Sequence, residues 1–287
     1  MWNYSWWRPL ASVFALMVGG SSVSAQTEAP SAAGSTNRAV TATLPSDAGQ
    51  SSVPSFRKPY PPPYPYKTKI GDIFRLDVWK LTLPIDDDAN GKPDEVVMPN
   101  LHRFEDPEFF YMNDAFDGVR FRAPVGGVTT ENSHYPRTEL REMDPGGEER
   151  ASWGTNDGKT HTLVAILAFT EVPKEKPHLC AVQIHDGKDD VLQLRIEERK
   201  VFLERDGADD FLFFEDYELG AFFEIMIISD EGRIRLFKDQ KQVLIWETER
   251  EGCYFKAGAY VQSNPEKGDD PETVGEVVFR KLWIRHK

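Results

Sequence analysis

The chain has 287 residues, 40% of them hydrophobic and 12% aromatic, with 34 basic and 47 acidic side chains and a net charge of -13. This supply of core-forming residues excludes collagen-like and wholly disordered chains. The acidic balance argues against nucleic acid, whose binding rests on Lys and Arg neutralising phosphates, so a polyanionic ligand needs a local basic groove.

An apolar run, Leu10 to Val18, follows a short segment whose only charge is Arg8 and precedes a Ser-rich tract ending Val23-Ser24-Ala25. This pattern predicts a secretory signal peptide over residues 1–25. The run is about half the ~20 residues a spanning helix needs, and no later stretch is long and uncharged enough. The mature chain is therefore expected to be secreted and extracellular, with no membrane partner, and to act as a monomer. Without residues 1–25 it holds 33 basic and 47 acidic side chains, a charge of -14. Residues 26–67 are rich in Ser, Thr, Ala, Pro and Gly, lack aromatics before Phe56 and end in Tyr60-Pro61-Pro62-Pro63-Tyr64-Pro65-Tyr66. Such a segment buries too little apolar area to offset ordering and reads as a disordered linker.

Residues 68–287 are one domain of ordinary size. Thr162 to Phe169, Val191 to Ile196, Phe222 to Ile228 and Arg233 to Phe237 are short runs of β-branched and aromatic residues. Turn signals punctuate them at Asp157-Gly158, Asp186-Gly187, Asp206-Gly207 and Glu231-Gly232. Many short strands without a long helical period predict an all-β sandwich or barrel.

Three strands carry candidate chemistry. Alternate side chains of a strand share a face, so Arg137, Glu139 and Arg141 project together from the segment Pro136 to Glu142. Gln183 and His185 do the same in Val182-Gln-Ile-His185, as do Tyr254, Lys256, Gly258, Tyr260 and Gln262 in the segment Tyr254 to Gln262. Taken singly, the Arg-Glu-Arg set reads as a surface ion-pair ladder, His185 as a structural histidine and Tyr260 as sheet packing. Together, as neighbouring strands, they make a cationic, aromatic-lined groove. It suits a carboxylated carbohydrate, because Arg and Lys hold carboxylates and Tyr faces pack on sugar rings.

The combination Arg-Thr-Glu-Leu-Arg-Glu (137–142), Gln-Ile-His (183–185) and Tyr-Phe-Lys-Ala-Gly-x-Tyr-x-Gln (254–262) resembles the three signature motifs of the family 7 alginate lyases. Trp79-Lys-Leu-Thr-Leu-Pro84 resembles that family's opening strand, so the likeness runs from about Asp72 onward. Val261 departs from it, standing where many members carry a polar residue. The resemblance implies a β-jelly roll of two antiparallel sheets with an anionic polysaccharide, alginate, lying across the concave one. It implies cleavage of 1,4-linked uronate polymers by β-elimination, leaving 4,5-unsaturated ends. Arg137, Gln183, His185 and Tyr260 would be catalytic, and Glu139, Arg141, Tyr254, Lys256 and Gln262 would bind substrate. Neither a metal nor another cofactor is expected. Ile184 resembles members favouring guluronate-containing blocks.

Two other readings stay open: a lyase for another polyuronate such as glucuronan, and a non-catalytic acidic-glycan-binding module, since fold does not fix function. A sandwich glycosidase lacks its paired-carboxylate strand, and a serine hydrolase lacks a Gly-x-Ser-x-Gly elbow. Asp86-Asp87-Asp88-Ala89-Asn90-Gly91 resembles the start of a calcium loop, but its twelfth position is Val97 rather than Glu, which favours a solvated acidic loop. Ideal alternation places Cys180 and Cys253 opposite the groove, as either a core-side disulfide or two buried thiols.

Overall fold

The computed structural model describes residues 69–287; the expected signal peptide and nearly all of the expected linker lie outside the described residues. Fifteen strands form among them. The first eight are β1 (Trp79–Thr82), β2 (Glu95–Val96), β3 (Phe110–Met112), β4 (Val119–Pro124), β5 (Arg137–Glu142), β6 (His161–Glu171), β7 (His178–His185) and β8 (Asp190–Glu197). The other seven are β9 (Lys200–Arg205), β10 (Ala208–Phe214), β11 (Phe223–Asp230), β12 (Arg233–Lys238), β13 (Lys241–Glu247), β14 (Tyr254–Val261) and β15 (Val274–His286). Among the described residues helix is confined to one four-residue turn, Ile70–Ile73, and three short 3-10 segments. No helix among the described residues is long and apolar enough to cross a membrane.

The strands form two antiparallel sheets. One has eight strands in the order β10-β9-β8-β7-β14-β5-β1-β2, the other seven in the order β13-β12-β11-β6-β15-β4-β3. Their facing sides bury the core: Leu81, Leu140, Val182, Ile184, Phe255 and Ala257 from the first against Phe121, Leu163, Leu167, Phe169, Ile227 and Phe279 from the second. Phe121 seats edge-on against Phe110 and Phe279, with ring centroids 5.0 and 5.3 Å away, a favoured aromatic geometry. This is the β-jelly roll expected from the motifs.

Three of the turn signals close hairpins. Asp186-Gly187 joins β7 to β8, Asp206-Gly207 joins β9 to β10, and Glu231-Gly232 joins β11 to β12. Gly207 and Gly232 adopt φ of 76° and 72°, where glycine meets no Cβ penalty. Two further hairpins turn without glycine, through Glu198 at φ 55° and through Asp239 and Gln240 at 47° and 69°. In the acidic loop, Asp86 accepts the backbone N–H groups of Asn90 and Gly91 at 2.9 and 2.8 Å, so its carboxylate closes the loop on itself.

Candidate active site

Backbone pairing places the three motif strands side by side in the order β7-β14-β5. Cross-strand partners share a face. Lys256 therefore stands between Arg141 and Gln183, Tyr254 beside His185, and Tyr260 beside Arg137. All nine site residues predicted from sequence, Arg137, Glu139, Arg141, Gln183, His185, Tyr254, Lys256, Tyr260 and Gln262, meet on the face turned away from the core. The close approach of β14 to β5 depends on Gly258, where a Cβ would lie 2.3 Å from the Thr138 carbonyl oxygen.

Glu139 is the hub of this face. Its carboxylate, 2% exposed, receives Arg137 Nη1 at 3.1 Å and Lys256 Nζ at 2.7 Å on one oxygen, and Gln183 Nε2 on the other. Burial opposes its charge, but Lys256 and Arg137 together hold the carboxyl below the usual glutamate range. Burial likewise acts on Lys256 and, with help from Arg137, pushes its pKa down to about 8 despite Glu139. Arg137, a permanent cation, thus favours the carboxylate and disfavours the ammonium beside it.

Both arginines lie on tyrosine rings. The Arg137 guanidinium carbon stands 3.8 Å from the Tyr260 ring centroid, and that of Arg141 stands 3.8 Å from the Tyr254 centroid, which orients each planar fork. Arg137 Nε and Arg141 Nη1 are buried donors with no partner among the described residues. Arg137 and Lys256 flank the Glu139 carboxylate and Arg141 stands in register with Lys256, so the face retains positive charge and unspent hydrogens.

His185 stacks on Tyr254 at 5.3 Å and 20°. Its Nδ1 lies 2.6 Å from the Asp186 carbonyl oxygen. A carbonyl only accepts, so Nδ1 carries the proton and Nε2 keeps its lone pair. Burial lowers the His185 pKa, which keeps the ring neutral and able to accept a proton. Burial raises the Tyr260 pKa, against the opposing pull of Arg137, so the phenol holds its proton. A neutral base and a protonated acid thus share one face.

The sequence reading missed several groups that support these residues. Gln193 on β8 is 4% exposed; its Nε2 donates to Gln183 Oε1 at 3.2 Å, and its Oε1 accepts from Gln262 Nε2 at 3.1 Å. This amide chain fixes which end of Gln183 faces Glu139. Gln193 alternates with Arg195 inside a strand already recognised, so its face was readable. Lys80 on β1, in register with Arg141 and paired with Glu95, extends the cationic row. Ser133 and Tyr135 approach Tyr260 from the loop before β5, where no strand period signals orientation.

The cysteines correct the ideal alternation. A bulge at Ala181 puts Cys180 in register with Tyr260 and Arg195, which moves it to the side of the sheet that carries the site. Cys253 stays on the core side, bridged to Trp153. Facing opposite sides, the two remain free buried thiols, and burial pushes the pKa of Cys253 up to about 12.

Comparison with known proteins agrees with this geometry. A family model described as alginate lyase matches residues 74–286. A solved alginate lyase of polysaccharide lyase family 7 is 41% identical, with 77% of this chain aligned to all of that one and a TM-score of 0.73. The alginate lyase from Corynebacterium sp. is 40% identical over 76% of this chain and 98% of its own, at a TM-score of 0.71. An alginate lyase of Klebsiella pneumoniae shares 41% identity over 75 residues, which span only 24% of that protein. A chain whose match covers nearly the whole described sandwich, and whose three motif strands meet on one face, belongs to the alginate lyase family.

Proposed function

We propose that this chain is a polysaccharide lyase that cleaves alginate by β-elimination, removing the C5 proton of a uronate and expelling the 4-linked sugar oxygen to leave a 4,5-unsaturated end. The observation that carries the reading is that His185, with burial favouring its neutral form, and a protonated Tyr260 share the face that holds Arg137, Lys256 and Gln183 around Glu139. A proton next to a carboxylate is a poor acid. Arg137 and Gln183 would take up the charge of the uronate carboxylate, so the carbanion-like intermediate forms against fixed donors. His185 Nε2 accepts the C5 proton as the C4–O bond breaks, and Tyr260 gives its phenolic proton to the leaving oxygen. Exchange with solvent then returns one proton to Tyr260 and takes one from His185. Arg141, Lys256, Tyr254 and Gln262 position neighbouring sugars.

Separate acid and base groups suit guluronate, whose C5 proton and leaving oxygen lie on opposite sides of the ring, and Ile184 agrees with that preference. On mannuronate, where both lie on one side, Tyr260 would have to serve twice, beginning as a phenolate that burial opposes. The mature chain is proposed to work outside the cell as a monomer without a bound metal. The test is ultraviolet absorbance of unsaturated ends as residues 26–287 act separately on polyguluronate, polymannuronate and glucuronan. Fastest growth on polyguluronate is expected. Growth only on glucuronan would move the substrate, and silence on all three would overturn the enzymatic reading in favour of a binding module.

A further inference from the structure

We propose that Ser133 is a positioning residue for Tyr260, holding the phenol in the resting site and donating to the phenolate once its proton has left. The inference rests on the assignment of Tyr260 as the acid. Ser133 lies in the loop between β4 and β5, in a turn where its N–H donates to Thr130 O at 2.9 Å. Its hydroxyl oxygen is 3.0 Å from the Tyr260 hydroxyl, 3.1 Å from the Tyr135 carbonyl oxygen and 3.1 Å from the Tyr135 nitrogen. A serine hydroxyl has one hydrogen and two lone pairs. The hydrogen goes to the Tyr135 carbonyl, one lone pair takes the Tyr135 N–H, and the other is left for the Tyr260 O–H. In the resting site every capacity of Ser133 is filled and the phenol is its donor.

Loss of the phenolic proton reverses the demand. The phenolate then needs a hydrogen, and Ser133 supplies it by turning its O–H from the Tyr135 carbonyl to Tyr260. That carbonyl is the alternative acceptor that makes the turn possible, and the backbone N–H of Tyr135 holds the serine oxygen in place during it. The surrounding loop is pinned independently. Lys176 Nζ donates to the Tyr135 hydroxyl at 3.3 Å, and Asn264 Nδ2 donates to the His134 carbonyl at 3.2 Å. Deleting one hydroxyl therefore leaves the loop tied at His134 and Tyr135.

A hydrogen bond to a charged oxygen contributes about 1.5–3 kcal/mol, which is about 10- to 160-fold in rate. Ser133→Ala is expected to lower kcat by that factor with KM nearly unchanged, and Ser133→Thr, which keeps the hydroxyl, to restore most of it. In a Tyr260→Phe background, Ser133→Ala should cost nothing further, because no phenol remains to be served. A second readout needs no substrate: NMR titration of ring-labelled tyrosine should show the Tyr260 midpoint moving to higher pH in Ser133→Ala and returning in Ser133→Thr. Wild-type kcat in Ser133→Ala, or an unmoved Tyr260 midpoint, would overturn the proposal. So would an equal loss in the Tyr260→Phe background. If the wild type fails on every polyuronate while the midpoint still moves, the hydrogen bond stands and the lyase reading is what falls.

Discussion

Two carboxylates of β5, three residues apart and each 2% exposed, sit in opposite kinds of surroundings. Glu142 faces the core end of the sandwich. One of its oxygens accepts the Trp153 Nε1–H at 3.0 Å and the Phe255 N–H at 2.8 Å, and the other meets His286 Nε2 at 2.6 Å. The Nδ1 atoms of His286 and His161 lie 2.6 Å apart, and His161 Nε2 lies 3.0 Å from Asp157 Oδ1. Each of those donors has a single hydrogen at the atom concerned, and it is spent. Glu139 is instead ringed by Arg137, Lys256 and Gln183, which carry five, three and two hydrogens and keep some for a ligand. A buried carboxylate with exhausted partners fastens two sheets together, whereas one with partners in surplus arms a binding face.

The widest separation should come from Glu139→Gln against Glu142→Gln. The first is expected to lower kcat/KM about 100-fold, as for removal of a group that orients reacting ones, and to lower Tm as well, because Lys256 and Arg137 lose a buried counter-charge. The second breaks a buried ionic network worth about 3 kcal/mol, lowering Tm by roughly 6–12 °C, and keeps activity within about tenfold below its new Tm. Equal activity losses in both variants would erase the distinction. A smaller effect concerns pH. Glu139 has its pKa lowered on folding, so its stabilising contribution is present above the ordinary glutamate range and drains away as pH falls through its lowered value. Denaturant titrations should show that acid-side loss in the wild type and not in Glu139→Gln.

Lys256 behaves in the opposite sense. Its folded pKa of about 8 lies below the ordinary 10.5, so the cost of burying its charge is full below pH 8 and is relieved as pH rises toward 10.5. The groove loses that cation over the same range. KM for a uronate oligomer should therefore rise above pH 8 in the wild type and stay flat in Lys256→Arg, whose guanidinium remains charged. A flat wild-type profile would mean that Lys256 does not hold substrate. The smallest expected effect is that of reductant. With no disulfide between Cys180 and Cys253, Tm should not change on reduction, and both thiols should alkylate after unfolding without it.

Much of this was legible from period-two alternation. It sorts Arg137, Glu139 and Arg141 from Thr138 and Leu140, and the structure keeps that sorting because the paired strands are regular there. It fails for Cys180, because the bulge at Ala181 shifts the phase by one residue and bulges leave no mark in a single sequence. Hairpins that turn through Glu198 or through Asp239 and Gln240 were harder to read, since no glycine or asparagine marks them and, apart from Asp239, side chains with little turn preference bear the left-handed backbone. The Glu142 cluster joins β5 to residues of β6 and β15; such long-range pairing is set by sheet topology rather than by any local pattern. Ser133 lies in a loop, and only the arrival of Tyr260 from β14 gives it a partner.

The chemistry itself is tested most directly by Tyr260→Phe, which removes one oxygen and leaves the ring under Arg137. Turnover of a guluronate oligomer would be followed by ultraviolet absorbance and binding of the same oligomer by calorimetry. The account predicts a loss in kcat of about 10³-fold, within the range for a positioned proton donor, with Kd changed less than about threefold. Turnover within tenfold of the wild type would contradict it and take Tyr260 out of the mechanism.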